Sequence, residues 1–253
     1  MNDDRIALQL YTVREHTSRD MLGTLARIAE QGYSAVEFAG FGGVPVADLR
    51  AALDDLNIRA IAAHTALDDV EAHTGRVLAD LQALGCSYAV VPFLAEERRQ
   101  SVEQIRELAA ILNRTARLYR EAGMGLAYHN HAFEFAPVGG TSVFDLLLEE
   151  TDPELVGFEL DVYWVRYAGA DPVAMLRQLA GRVPLVHIKD MAAGEERADT
   201  PVGEGTFEWR EVLEACAAAG AEWYIIEQDN PSDPLADVER SLHNLRKLIS
   251  ELQ

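Results

Sequence analysis

Strand-like apolar runs and amphipathic helical stretches alternate along the whole 253-residue chain. That alternation confines it to folds built on a parallel sheet. The runs are Ile6 to Leu10, Ala35 to Phe38, Arg59 to His64, Tyr88 to Phe93, Gly125 to Asn130, Leu155 to Val162, Val183 to Ile188 and Trp223 to Glu227. Between them, apolar residues recur at three- and four-residue spacing, as in Ile105, Leu108, Ile111 and Leu112, the pattern of a helix with one buried face. Eight such pairs fit a closed (β/α)8 barrel of the α/β class. An open dinucleotide-binding sheet would carry a glycine fingerprint after its first strand, and Gly40-Phe41-Gly42-Gly43 is only a flexible loop. No Ser/Gly-rich linker or shift in composition divides the chain, so residues 1–253 are expected to form one domain.

Composition narrows the functional classes. Apolar residues make up 49% of the chain, enough for a substantial core, and no apolar run is long enough for a membrane span. A formal charge of −20 without a Lys/Arg cluster repels phosphate backbones and argues against nucleic acid as a partner. Met1-Asn2-Asp3-Asp4-Arg5 lacks the basic and apolar regions of a secretory signal, and Cys86 and Cys216 cannot form a disulfide framework. The expected location is the cytoplasm. The state of assembly is open, homo-oligomers included.

Four side chains, Glu134, Asp161, His187 and Glu227, sit where a run gives way to a polar loop. In a parallel barrel such positions meet at the carboxyl rim, where these folds bind ligands. Asp161 follows Glu134 by 27 residues and His187 follows Asp161 by 26, about one barrel unit each. Glu227 comes 40 residues after His187, and the polar stretch from Asp190 to Phe207 accounts for the excess as a candidate lid. Three carboxylates and one imidazole suit a divalent ion: manganese, cobalt, magnesium or zinc.

Other polar residues surround this set. His129 and His131 share one face of their strand beside Glu134, with Asn130 opposite. A lone histidine at a strand end is more often structural, but two beside a glutamate reverse that expectation. His187 and Lys189 share a face as well. Lys189 is placed either to stabilise a developing enolate or to pair with Asp190 or Glu227. The aromatics after Asp161, Trp164 among them, suit the wall of a polar small-molecule pocket. Gln9, Glu37 and His64 end earlier strands, where they would bind substrate hydroxyls.

The segments Tyr128-His129-Asn130-His131-Ala132-Phe133-Glu134-Phe135, Glu159-Leu160-Asp161, Val186-His187-Ile188-Lys189-Asp190, Pro201-Val202-Gly203-Glu204-Gly205 and Ile226-Glu227 together resemble the xylose isomerase-like TIM barrels. That group holds sugar isomerases, sugar epimerases, inosose dehydratase and endonuclease IV. The resemblance implies one divalent ion held by Glu, Asp, His and Glu from four strands, and Asp161, His187 and Glu227 match three of them. On the fifth strand many relatives carry glutamate, one residue, then histidine, whereas this chain has His129-Asn130-His131. Either His129 binds the ion or Glu134 reaches back, and the charge a carboxylate supplies favours Glu134. His131 then matches the histidine that contacts substrate or moves its proton, with His129 assisting.

The implied activity is isomerisation or epimerisation of a sugar or keto-sugar by proton transfer through an enediolate, assisted by the ion. The alternative is dehydration of an inosose or keto-sugar, and a non-catalytic carbohydrate-binding barrel is a third class. Few basic residues lie near the expected rim, which favours an unphosphorylated sugar or cyclitol. Endonuclease activity would need further metal-binding histidines and a basic surface.

Overall fold

In the computed structural model of the chain, the structure describes residues 3–252. Met1 and Asn2 of the N-terminal reading above, and Gln253, lie outside the described residues. Among the described residues, eight parallel strands close a barrel: β1 (Ile6–Gln9), β2 (Ala35–Phe38), β3 (Arg59–His64), β4 (Tyr88–Val91), β5 (Gly125–His129), β6 (Val156–Asp161), β7 (Leu185–Ile188) and β8 (Trp223–Ile226). Closure is made by β8 pairing with β1, Ile6 opposite Tyr224 and Leu8 opposite Ile226.

All eight expected strands are present, and their ends differ for physical reasons. Val183 precedes Pro184, which has no N–H for the ladder, so β7 begins at Leu185. At the other end, Leu10, Asn130, Val162 and Glu227 lie just past their strands, where the chain bends into the loops that shape the mouth.

The main helices after the strands are α1 (Met21–Glu30), α2 (Val46–Leu56), α3 (Thr74–Leu84), α4 (Val102–Glu121), α5 (Val143–Glu150), α6 (Pro172–Gln178), α7 (Trp209–Ala219) and α8 (Pro234–Ser250). Their starts follow capping chemistry. Asp20 accepts from Gly23 N, Ser101 from Gln104 N and Ser142 from Asp145 N, each giving a partner to an otherwise orphaned helix donor. Gly85 and Gly220 end α3 and α7 in the left-handed conformation that favours glycine. No helix of the described residues is long and apolar enough to cross a membrane.

Strand alternation gives the barrel two apolar layers. Outward residues such as Leu8, Val36, Phe38, Phe158 and Ile188 pack on the helices. Inward residues form a separate cluster of Ala7, Ala35, Ala62, Val90, Ala127, Leu185, Trp223 and Ile225. Small alanines leave room for the Trp223 ring at the amino-terminal end, where the Arg59 and Arg5 guanidinium groups lie 4.8 and 5.3 Å from its centre. This apolar plug has a polar counterpart one pleat nearer the carboxyl end, because Gln9, Glu37, His129, Asp161, His187 and Glu227 take the inward positions there.

Candidate active site

Strand register sets the polar layer. Gln9 lies opposite Glu37, His129 opposite Glu159, and Asp161 opposite His187. Glu159 is two residues before Asp161 on β6, so both carboxylates face inward. Glu37, Glu159, Asp161, His187, Lys189 and Glu227 are all buried.

His187 is the link between two donor groups. Its Nδ1 lies 2.9 Å from Glu227 and 4.0 Å from Asp161 Oδ2, while Nε2 lies 2.9 Å from Glu37 and 3.1 Å from Glu159. Glu159 Oε2 also meets His64 Nε2 at 2.9 Å and His129 Nδ1 at 3.0 Å, so one oxygen faces three imidazoles. Two sets of donor atoms fall within 4.8 Å of one another: Asp161, His187 and Glu227, and His64, His129, Glu159 and His187.

The electrostatics follow from burial and from an excess of carboxylates. Burial alone would keep His187 neutral, but Glu159 and Glu227 outweigh it and raise its pKa well above the usual imidazole range. Burial pushes Asp161 up to about 7 against the pull of Lys189 and His187. It does the same to Glu37, with repulsion from Glu159 adding to it. Asp161 Oδ2, Glu37 Oε1 and Glu159 Oε1 are buried without a hydrogen-bond partner. Unpartnered buried carboxylate oxygens facing mutually repelling acids are the signature of a floor that a divalent cation would complete, so the donor set fits one.

Asn130, on the outward side of β5's end, fixes Asp161. Its Oδ1 accepts from Asp161 N at 3.0 Å and its Nδ2 donates to Asp161 O at 3.3 Å. Asp161 Oδ1 then caps the helical turn Val162–Tyr167 by accepting from Trp164 N, leaving Oδ2 directed at the cluster.

Glu134 is the expected ligand that the structure does not bring to the cluster. It lies in a 3-10 turn, Ala132–Phe135, five residues beyond the end of β5. There its carboxylate accepts from Tyr128 Oη at 2.7 Å and from His131 N at 2.8 Å. Both oxygens are engaged by local donors, so the carboxylate pins the loop that carries His131. We therefore expect Glu134→Ala to keep stoichiometric divalent metal while destabilising the fold by about 2–3 kcal/mol, since two buried donors lose their acceptor. Elemental analysis and urea unfolding of the variant check this, and loss of the metal would return Glu134 to the ligand set.

Above the floor opens a cavity of about 460 Å³ lined by His64, His129, His131, Glu227, Asp229 and Tyr11, among others, with no lysine or arginine among the described residues of its wall. Burial, then repulsion from His129, lowers the His131 pKa to about 2, so its imidazole is a free base at neutral pH. Burial likewise lowers His129 to about 4. The His131 ring stacks on Phe133 and lies 5.6 Å from Trp164.

Lys189 does not line this cavity. It is wholly buried, bonded to Asp229, with Glu227 at 3.5 Å and Asp161 at 3.8 Å. Of the two roles expected for it, pairing with Glu227 is the one this geometry makes, and Asp190 turns away toward its own loop. Gln9, also wholly buried, spends its Oε1 on Tyr11 N. Glu37 lies beneath His187 and out of the cavity wall, so of the early-strand residues only His64 reaches it.

Two residues of this network escaped the reading of the sequence. Glu159 was legible in principle from its two-residue offset from Asp161, which puts both on one face. Asp229 lies past the strand and gave no periodic signal.

Comparisons with known proteins agree with this architecture. A family model described as xylose isomerase-like TIM barrel matches residues 25–248. The inosose dehydratase of Geobacillus kaustophilus is 31% identical over 199 residues, which span 70% of this chain and 63% of that protein. This chain thus matches less than two thirds of that relative's length. A sugar phosphate isomerase/epimerase from Parabacteroides distasonis superposes with a TM-score of 0.85 at 25% identity, covering 97% of this chain and 94% of the other. The IolI protein, whose structure holds a zinc atom, superposes with a TM-score of 0.78 at 15% identity, covering 98% and 99%, a likeness of fold alone. By the match to its family model over nearly the whole barrel, this chain belongs to the xylose isomerase-like TIM barrel family.

Proposed function

We propose that this chain is a divalent-metal-dependent isomerase or epimerase of an unphosphorylated sugar or cyclitol ketone. The observation that carries the reading is the buried ring of carboxylates and imidazoles at the barrel mouth, with Asp161 Oδ2 left unpartnered. Asp161, His187 and Glu227 would hold the ion, because Asp161 Oδ2 has no hydrogen-bond partner, whereas Glu159 Oε2, the carboxylate oxygen of the second donor set, already meets three imidazoles. Three protein donors leave positions open for substrate oxygens. When bound, the ion polarises a carbonyl and offsets charge developing on substrate oxygens.

The protein's own groups do the rest. His131, uncharged at neutral pH, takes the proton from the carbon beside the carbonyl, the C–H electron pair becomes the C=C bond of an enediolate, and the carbonyl π pair moves onto its oxygen. Returning the proton to the neighbouring carbon isomerises the substrate, whereas protonation of the original carbon from the opposite face, by a second acid or by solvent, epimerises it. Lys189 stays charged below the floor, because Glu227, Asp161 and Asp229 outweigh its burial, and it holds Glu227 and Asp229 in place. His64 and His129 offer ring nitrogens to hydroxyls, while the absence of lysine and arginine among the described residues of the cavity wall disfavours a phosphate.

A second reading, dehydration, is favoured by the inosose dehydratase relative. It uses the same first step, after which a β-hydroxyl takes a proton and leaves as water. Incubating the purified protein with manganese and a panel of ketoses and inososes in heavy water separates the readings. Solvent deuterium in recovered ketose supports isomerisation or epimerisation, and loss of water from an inosose supports dehydration. Retention of every carbon-bound hydrogen across the panel would refute proton transfer.

A further inference from the structure

The cavity over the donor floor has a neighbour. A second space of about 450 Å³ lies between the loops after β2 and β3 and helix α3, and it shares Ala39, His64 and Ala66 with the first. One hydroxylated six-membered ring is served by the first cavity alone, and pockets for larger ligands span roughly 300–1,000 Å³. The second space continues that pocket sideways, past His64, away from the donor floor.

Its walls are chemically mixed. Phe41, Val77 and Leu81 give it an apolar side, and Asp69, Arg76 and Asp80 give it a polar one. Arg76 is paired with Asp69 at 2.6 Å, so its charge is already offset, and Asp80 adds a further acid. Such a lining repels an anionic group and suits a neutral ring that shows an apolar face to one wall and hydroxyls or an aromatic edge to the other.

From this continuity we infer that the substrate is a two-ring glycoside, its keto-sugar unit over the Asp161, His187 and Glu227 floor and a neutral second ring held between Phe41, Val77 and Arg76. The inference rests on the proposed proton-transfer reading for the first unit, and it names the class of substrate that the reading leaves open. The second ring is either another sugar or an aromatic aglycone, both of which present the same neutral, one-face-apolar chemistry.

The test uses three probes with the metal-loaded protein: a 3-keto-hexose with a free anomeric hydroxyl, its phenyl glycoside, and a disaccharide whose glycosidic donor is the same 3-keto-hexose. Calorimetry gives binding, and deuterium incorporation gives reaction. At least one two-ring probe is expected to bind ten times or more tightly than the free keto-hexose, and which one identifies the second ring. That preference should fall at least fivefold in Asp80→Trp, which fills the second cavity from the helix surface, and in Arg76→Ala, which removes its donor. Both are partly or largely exposed helix positions where the fold tolerates change.

Equal binding of all three probes, or a preference that survives both substitutions, would overturn the proposal. Failure of the proton-transfer reading looks different, because the two-ring preference would then persist in calorimetry while no probe took up deuterium. Exchange without any preference would sink the subsite and leave the chemistry standing.

Discussion

Replacing Asp161 by alanine is expected to abolish stoichiometric binding of a divalent ion and to slow solvent exchange of the substrate proton by ~10³-fold or more. Asp161 sits opposite His187 in the ladder, its backbone is clamped by Asn130, and its Oδ2 is buried without a hydrogen-bond partner. Glu134 is committed to Tyr128 and His131, and Asp229 to Lys189, so neither carboxylate is free to replace it. Alanine also removes the cap on the Val162–Tyr167 turn, a loss of about 1 kcal/mol that could blur the result. Asp161→Asn separates the two effects, since its amide oxygen still caps Trp164 N while the negative charge is gone. Asparagine should therefore melt close to the unchanged protein yet lose the ion and the exchange as fully as alanine. Retained metal in both variants, measured by elemental analysis, would remove Asp161 from the ligand set and with it the proposed mechanism.

The barrel and most of the floor were legible in the sequence because both follow from period-two alternation. Once Asp161, His187 and Glu227 are each placed at the end of a buried strand, closure of the barrel forces them together, whatever the loops do. Glu134 was misplaced for a reason of the same kind. Beyond His129 the chain leaves the strand and enters a 3-10 turn, so strand parity no longer says where a side chain points, and the carboxylate folds back onto Tyr128 of its own strand. Lys189 follows His187 by two residues and would share its face in a continued strand. That expectation puts it on the right side of the sheet but gives no depth, and depth decides between touching substrate and propping the floor from below.

The stretch from Asp190 to Phe207, expected as a lid from its length and glycines, is a different case. Asp190–Met191 and Asp199–Thr200 pair as a short antiparallel ribbon. The loop then returns over the Asp190 carboxylate, which is fully buried. Its Oδ2 accepts from Gly203 N at 2.8 Å, Gly205 N at 3.1 Å and Trp209 Nε1 at 2.7 Å, and its Oδ1 from Met191 N at 2.8 Å. A side chain at Gly205 would place its Cβ 2.1 Å from Asp190 Oδ1, so only glycine allows the backbone that close. The Pro201 to Gly205 motif thus serves to wrap an anion that the protein itself supplies, in the manner of backbone N–H groups that cradle a bound phosphate.

Asp190→Ala should accordingly lower stability by about 3–5 kcal/mol, because several buried donors lose one charged acceptor together. At 2–4 °C per kcal/mol for a chain approaching this size, the melting temperature should fall by roughly 10 °C. Asp190→Asn is expected to be nearly as damaging, in contrast to Asp161→Asn. A ring of N–H donors wants two acceptor oxygens, and an amide sets its own NH2 against that ring. Limited proteolysis should then cut between residues 191 and 207 in both variants well before the barrel itself is attacked. An unchanged melting temperature and an intact loop in Asp190→Ala would mean that the segment is held by its flanks, Tyr163 Oη on Arg197 O and Ser241 Oγ on Val202 N, and that the buried carboxylate is incidental to it.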